Sequence, residues 1–397
     1  MRKLLFAPAD PRTCKAWEGS LQAYKGVWEV RIVSDAAAVL THLAEAPWDA
    51  VVAHLTSQNG TSLLVKSRES FPEAVRIGVV APSQLRAPQP SCAHQVISEP
   101  LDLKELEVAL ERSCRLRDLL RGERICQTVG ELGELPSAPG VYLQLVRKLN
   151  RPDTSIGEIA EIIEGDVGTS ARLLQLVNSV IFRTSREIVT VKMAASLLGL
   201  NVIKNVVLSM EAFQAFQKIP KIPGFSWEDL QAHCRLTAAI VGQMQLPPEV
   251  RDAAIVAALL HDIGKLVLAC KMPDRFARLV ARAQTEEKPL HQIEEELWGI
   301  THAEVGAYLL GLWGLPLRVT EAIAYHHAPA SVPHQRFDAL AAVYVANLLA
   351  HEQEGAARDH DWDGAFLESL GVAPQLALWK AIARQVACTQ PESAGVH

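Results

Sequence analysis

The sequence of 397 residues has no dense run of lysine or arginine, no CxxC pair and no uninterrupted apolar stretch of about 20 residues. Without a basic cluster there is no electrostatic footprint for a nucleic-acid backbone, and the formal charge of −6 agrees. The seven cysteines, Cys14, Cys92, Cys114, Cys126, Cys234, Cys270 and Cys388, are scattered and odd in number. That pattern argues against a disulfide framework or a clustered zinc site and for reduced thiols. The opening segment MRKLLFAPADPR is basic but lacks an apolar core long enough for a secretory signal. These absences lead to the expectation of a cytoplasmic protein with neither nucleic acid nor membrane as partner.

What is present divides the chain. Apolar residues make up 49%, ample for packed cores, and the length suits two or three domains of roughly 100–200 residues each. Strand-sized apolar runs recur at the start: LLFA (4–7), WEVRIV (28–33), DAVVAHL (49–55), VRIGVV (75–80) and QVIS (95–98). Helical stretches separate them, as parallel neighbours require. The pattern predicts a doubly wound α/β domain with a five-stranded parallel sheet over residues 1–122. Asp35 is a candidate cap for a helix carrying Val39, Leu40 and Leu43, and a longer helix is expected from 103 to 128.

Gly130 and Gly133, followed by Pro136 and Pro139, mark residues 123–134 as a linker. Beyond it the apolar period is helical almost throughout. Ser155 and Glu158 form an S-x-x-E capping signal, and Ala171–Asn178, Val191–Leu200, Val202–Phe216 and Ala253–Leu268 continue the pattern. An all-α bundle is predicted for 135–350. A C-terminal helical extension and tail fill 351–397, with a helix near Leu367–Cys388 and no order in the last ten residues.

The first domain resembles a response-regulator receiver whose chemistry has been replaced. Asp49-Ala-Val-Val-Ala-His54 matches the strand that ends in the phosphorylated aspartate, with His54 at the acceptor position. The acidic pair that would hold Mg²⁺ falls at Pro8-Ala9, leaving Asp10 nearby; the hydroxyl position is Val80, and Glu99 replaces the lysine before Pro100. Aspartyl phosphorylation needs a carboxylate nucleophile, a divalent cation and a cationic side chain. The resemblance therefore implies a pseudo-receiver that binds a partner.

The helical part resembles the HDOD family of bacterial signalling domains, a branch of the HD phosphohydrolases. The resemblance rests on Leu135-Pro-Ser-Ala-Pro139, Ser170-Ala-Arg-Leu-Leu-Gln-Leu-Val-Asn178, Leu259-Leu-His-Asp-Ile-Gly-Lys265, Thr301-His-Ala-Glu304 and Ala322-Ile-Ala-Tyr-His326-His327. It implies an interaction or output module that engages other signalling proteins, its own first domain or a second copy of itself. HD enzymes hold one or two divalent cations on imidazoles and carboxylates. By that likeness Asp229, His233, His261, Asp262, His302, His326 and His327 are the candidate metal ligands, with Mn, Fe or Mg as candidate ions. Lys265 is the candidate phosphate-facing group of an enzyme acting on a nucleotide or cyclic dinucleotide.

Two departures count against such an enzyme. Asn347 occupies the position of the closing aspartate, and the glycine-tyrosine-proline loop is replaced by Ala-Pro-Ala-Ser-Val-Pro after His327. The same residues also have plain structural uses: Asp262 as a helix cap, Thr301 and Glu304 as a capping box, and His326-His327 as a helix end.

Overall fold

The computed structural model describes residues 2–389 apart from 22–27, 34–37, 40, 43–47, 56–57, 72–73, 83–92, 133–134, 150, 152–153, 185–186, 215, 217–218 and 356–361. The cap expected at Asp35, the Leu40 and Leu43 positions and the last eight residues lie outside the described set. The chain forms two compact units, Met1–Asp118 and Leu119–His397.

The first unit contains β1 (Arg2–Ala7), β2 (Trp28–Ile32), β3 (Ala50–His54), β4 (Val75–Val80) and β5 (Gln95–Ser98). They form one parallel sheet in the order β2-β1-β3-β4-β5, the order of flavodoxin-like doubly wound folds. Alternation along the central strands explains why those runs read as continuously apolar. Leu4, Phe6, Val52 and Ile77 join a core with Leu106 and Leu110 of the helix Leu103–Leu120. Leu5, Val51 and Ala53 face the opposite core with Leu63 and Leu64 of the helix Gln58–Ser70. A sheet covered on both faces has no polar side to alternate with.

Residues 123–132 are helical where a linker was expected. The helix begun at Leu103 ends at Leu120, and Glu123–Leu132 is a separate helix. Its Ile125 and Leu132 are buried, and it belongs to the second unit. Apolar residues spaced for one helical face outweighed the neighbouring glycines.

Among the described residues, the regular structure of the rest of the second unit is helical, with one isolated bridge between Ile222 and Phe225. Ser155 and Glu158 make the expected reciprocal capping box on Ile156–Glu164. The stretch read as one helix, Ala253–Leu268, is two: Pro248–Leu260 and Ile263–Lys271, parted at His261-Asp262. By length and composition Pro248–Lys271 could cross a membrane, but 83% of its most apolar window is buried inside the bundle. Its hydropathy is that of a core element. Among the described residues the C-terminal extension contains the helices Gly364–Ser369 and Leu376–Thr389, with a short 3-10 turn Ala373–Gln375 before the second, which buries Trp379, Ala383 and Val386.

Gly264 lets two elements meet closely. A Cβ there would lie 1.9 Å from the carbonyl oxygen of His302 and 2.8 Å from the amide nitrogen of Gly306. The first turns of Ile263–Lys271 and His302–Leu312 thus touch backbone to backbone, bringing Asp262 and His302 together.

Candidate metal centre

Five helical elements bring the centre together. His233 lies in the middle of Trp227–Gln243, and His261-Asp262 occupies the break after Pro248–Leu260. His302 is the first residue of His302–Leu312, where Thr301 and Glu304 form the expected capping box. His326-His327 follows the helix Leu317–Ala324, and Asn347 lies within Ala339–Gln353. His261 and His326 are completely buried, and Asp262 and His302 are 1% exposed.

Each of four imidazoles has its Nδ1 engaged from outside. His261 Nδ1 lies 2.7 Å from the Ala258 carbonyl oxygen, and His326 Nδ1 lies 2.7 Å from that of Ile323. His302 Nδ1 is 2.6 Å from Glu294 Oε2, and His233 Nδ1 is 2.8 Å from Glu354 Oε2. Carbonyl and carboxylate oxygens only accept, so each Nδ1 carries the proton. That leaves the four Nε2 atoms facing inward.

Those inward Nε2 atoms converge. His233 Nε2 is 3.2 Å from His261 Nε2 and 2.8 Å from Asn347 Oδ1. His302 Nε2 is 3.0 Å from both His327 Nε2 and Asp262 Oδ1. His326 Nε2, 3.7 Å from Asp262 Oδ1, has no hydrogen-bond partner. Asp262 Oδ1 makes no directed hydrogen bond either. Ligand atoms of Asp262, His302, His326 and His327 lie within 4.8 Å of one another, as do those of His233, His261 and Asp262. Asp262 is common to both groups.

Such a cluster of buried acceptors fits a divalent cation. Outer oxygens fixing the imidazole tautomers are a usual accompaniment of metal-binding histidines. Nitrogen and carboxylate donors suit first-row transition metals. Burial drives the His261 imidazole down to about 3 and those of His326 and His327 well below the ordinary value, keeping them neutral. Burial also opposes charge on His302, but Glu294 and Asp262 outweigh it and raise this imidazole. Asp262, although buried, is held well below the usual carboxylate range, chiefly by Lys265. Lys265 Nζ donates to Asp262 Oδ2 at 2.6 Å, leaving Oδ1 turned toward the histidines.

Asp262 stands at the helix N-cap position without a side-chain capping bond, so its carboxylate serves the cluster instead. Asp229 is not brought to the centre: it is exposed in the first turn of its helix, and none of the candidate ligand groups among the described residues includes it. Sequence reasoning missed Glu294, Glu354, His351 and His291. Glu294 is fully buried, yet sits in an ordinary acidic run, and His291 stacks on His327 with ring centroids 3.9 Å apart. No local signal in the sequence distinguishes them.

In the first unit, His54 is buried at the end of β3. It is 4% exposed, with Nε2 2.7 Å from Glu99 Oε1. Asp10 is exposed and caps the helix Pro11–Leu21, accepting from the backbone amides of Arg12 and Thr13 at 2.8 and 2.9 Å. The Thr13 amide bond leads in lowering its carboxyl pKa.

Comparison with known proteins agrees with the helical architecture. Residues 135–329 match the HDOD domain family. An uncharacterized protein of Treponema pallidum (strain Nichols) is 26% identical over 229 residues, 56% of this chain and 44% of that protein. The chain therefore matches less than half the length of that relative. A candidate signal transduction protein of Marinobacter aquaeolei VT8 has a solved structure that shares the fold at TM-score 0.50 and 19% identity. The match covers 82% of this chain and 83% of that one. The structure of an HDOD domain protein of unknown function from Geobacter sulfurreducens is 26% identical, covering 69% and 94% at TM-score 0.49. Over residues 135–329 this chain carries an HDOD domain.

Proposed function

We propose that the protein is a bacterial signalling regulator whose HDOD domain acts as a non-catalytic output module built around a buried divalent-cation centre. The observation that carries this reading is the set of four imidazoles tied at Nδ1 from outside and turned inward at Nε2 around Asp262. His233, His261, Asp262, His302, His326 and His327 would hold the cation, and Asn347 would offer a neutral oxygen. A catalytic metal site keeps a position open to water and substrate. Here the central donors are 0–1% exposed, and an amide replaces one carboxylate, which favours a structural or regulatory ion over turnover. The first domain takes the role of a receiver-like partner surface, with His54 bonded to Glu99 where phosphotransfer chemistry would need an aspartate and a lysine.

Metal analysis of protein purified without a histidine tag tests the centre. Stoichiometric transition metal is expected in the wild type and a loss in His261→Ala; no metal in either would overturn the reading. Lys265, poised beside Asp262, supports a second reading as a metal-dependent phosphohydrolase. Turnover of a nucleotide and cyclic-dinucleotide panel with Mn²⁺, abolished in His261→Ala, would establish that reading and displace the non-catalytic one.

A further inference from the structure

We infer that Glu354 is a positioning residue that returns to the centre, from outside, the negative charge missing at Asn347. This inference rests on the proposed metal centre and concerns how its His233–His261 side is completed. Asn347 Oδ1 reaches His233 Nε2 at 2.8 Å but brings no charge. Glu354 caps the same helix seven residues on, where the chain has made about two turns. Its Oε1 and Oε2 lie 3.0 and 2.8 Å from His233 Nδ1.

One imidazole thus joins a neutral oxygen inside to a carboxylate outside. A carboxylate at Nδ1 fixes the tautomer and makes Nε2 a stronger donor, so charge absent from the inner set acts through the ring. His351 completes the arrangement. Its ring stacks on His233 at 4.3 Å between centroids, and its Nδ1 lies 3.6 Å from Glu354 Oε2. Partial burial alone would raise the Glu354 carboxyl, yet the hydrogen bond from His233 and the nearby His351 imidazole bring it down to about 2. The side chain of Glu354 is 31% exposed and that of His233 is 7%, so Glu354 can be changed at the rim without opening the core. On the opposite side Glu294 stands in the same relation to His302, but there Asp262 already supplies charge directly.

The test uses full-length protein with Zn²⁺ as the probe. Glu354→Gln keeps an oxygen that can accept from Nδ1 and removes only the charge, so Zn²⁺ affinity should fall about 10- to 100-fold. Adding Asn347→Asp to that variant should restore most of the loss, because the charge returns to the inner face. Unchanged affinity in Glu354→Gln, or no rescue by Asn347→Asp, would overturn the inference. A metal-free readout separates it from the proposed centre: nitrogen NMR of the His233 imidazole in chelator-treated protein. The wild type should keep Nδ1 protonated and Glu354→Ala should lose that tautomer. If the wild type takes up no Zn²⁺ while this tautomer dependence holds, the metal reading fails and the positioning role stands. If Glu354→Ala leaves the tautomer unchanged, the positioning role fails whatever the metal does.

Discussion

His54 Nε2 lies 2.7 Å from Glu99 Oε1, joining the C-terminal end of β3 to the residue that follows β5. In a doubly wound sheet ligands and reacting groups gather at those strand ends. Here two side chains at that edge engage each other instead.

The pair should therefore behave as a structural tie. A hydrogen bond to a charged group contributes about 1.5–3 kcal/mol when buried. With Glu99 about one third exposed, the coupling between His54→Gln and Glu99→Gln should be nearer 1 kcal/mol. Urea unfolding of the four proteins in that cycle measures it, and strict additivity would remove the tie. Incubation with a small phosphodonor should leave the N-terminal domain unmodified by mass spectrometry.

His94 gives the first unit a pH dependence of predictable sign. The backbone amide of Arg76 donates to its Nδ1 at 2.9 Å, and the Arg76 guanidinium lies 2.6 Å from its Nε2. Burial, reinforced by that guanidinium, holds the imidazole down at about 3 against an ordinary 6.5. Below 6.5 the unfolded chain binds a proton that the folded one refuses. Stability is then fully present above that value and declines as the pH falls toward 3. Unfolding midpoints of the wild type and His94→Gln between pH 7 and 4 should diverge in slope, the variant being flatter. Parallel slopes would contradict the assignment.

Gly264 should tolerate no side chain. In Gly264→Ala the new Cβ would meet the His302 carbonyl oxygen at 1.9 Å, and backbone atoms in two packed helices cannot yield cheaply. A loss of roughly 3 kcal/mol is expected, at the upper end of ordinary overpacking. Metal content should fall as well, since Asp262 and His302 lie beside the displaced backbone. Calorimetry with metal analysis reads both; a variant as stable as the wild type would show that the contact relaxes freely.

These cases mark how far the sequence could be read. The central strands were visible because burial on both faces leaves nearly continuous apolar runs, β2 because its burial alternates along Trp28–Ile32, and the inward donors His233, His261, Asp262, His302 and His326 because they sit in short motifs in order. The outer shell was not. Glu294 precedes His302 by eight residues, whereas Glu354 follows His233 by 121, and only folding makes either a neighbour. The break at His261-Asp262 was hidden because its flanks share one apolar character. The helix Glu123–Leu132 was masked by glycines that signal a connector locally but are overridden by packing of Ile125 and Leu132. Asp229 shows the reverse error: a one-turn spacing from His233 put it on the same helical face without bringing it into the core.

Lys265 provides the sharpest check on the charge balance of the centre. Its ammonium and the Asp262 carboxylate are 2.6 Å apart, with side chains 14% and 1% exposed. Removing one member of a buried pair leaves the other uncompensated, at a cost of about 3–5 kcal/mol. Lys265→Met should thus lower the melting temperature of chelator-treated protein, because the buried Asp262 carboxylate then loses the ammonium beside it. Zn²⁺ or Mn²⁺ would supply the missing positive charge at Asp262 Oδ1. Binding only to the folded state stabilises by mass action, so the metal-induced rise in melting temperature should be larger in the variant than in the wild type. The same coupling, read from the other side, means that a bound cation lessens the need for Lys265. Equal rises in the two proteins would indicate that the cation and Lys265 do not share Asp262, and an undiminished metal-free melting temperature would indicate that the carboxylate is satisfied without its lysine.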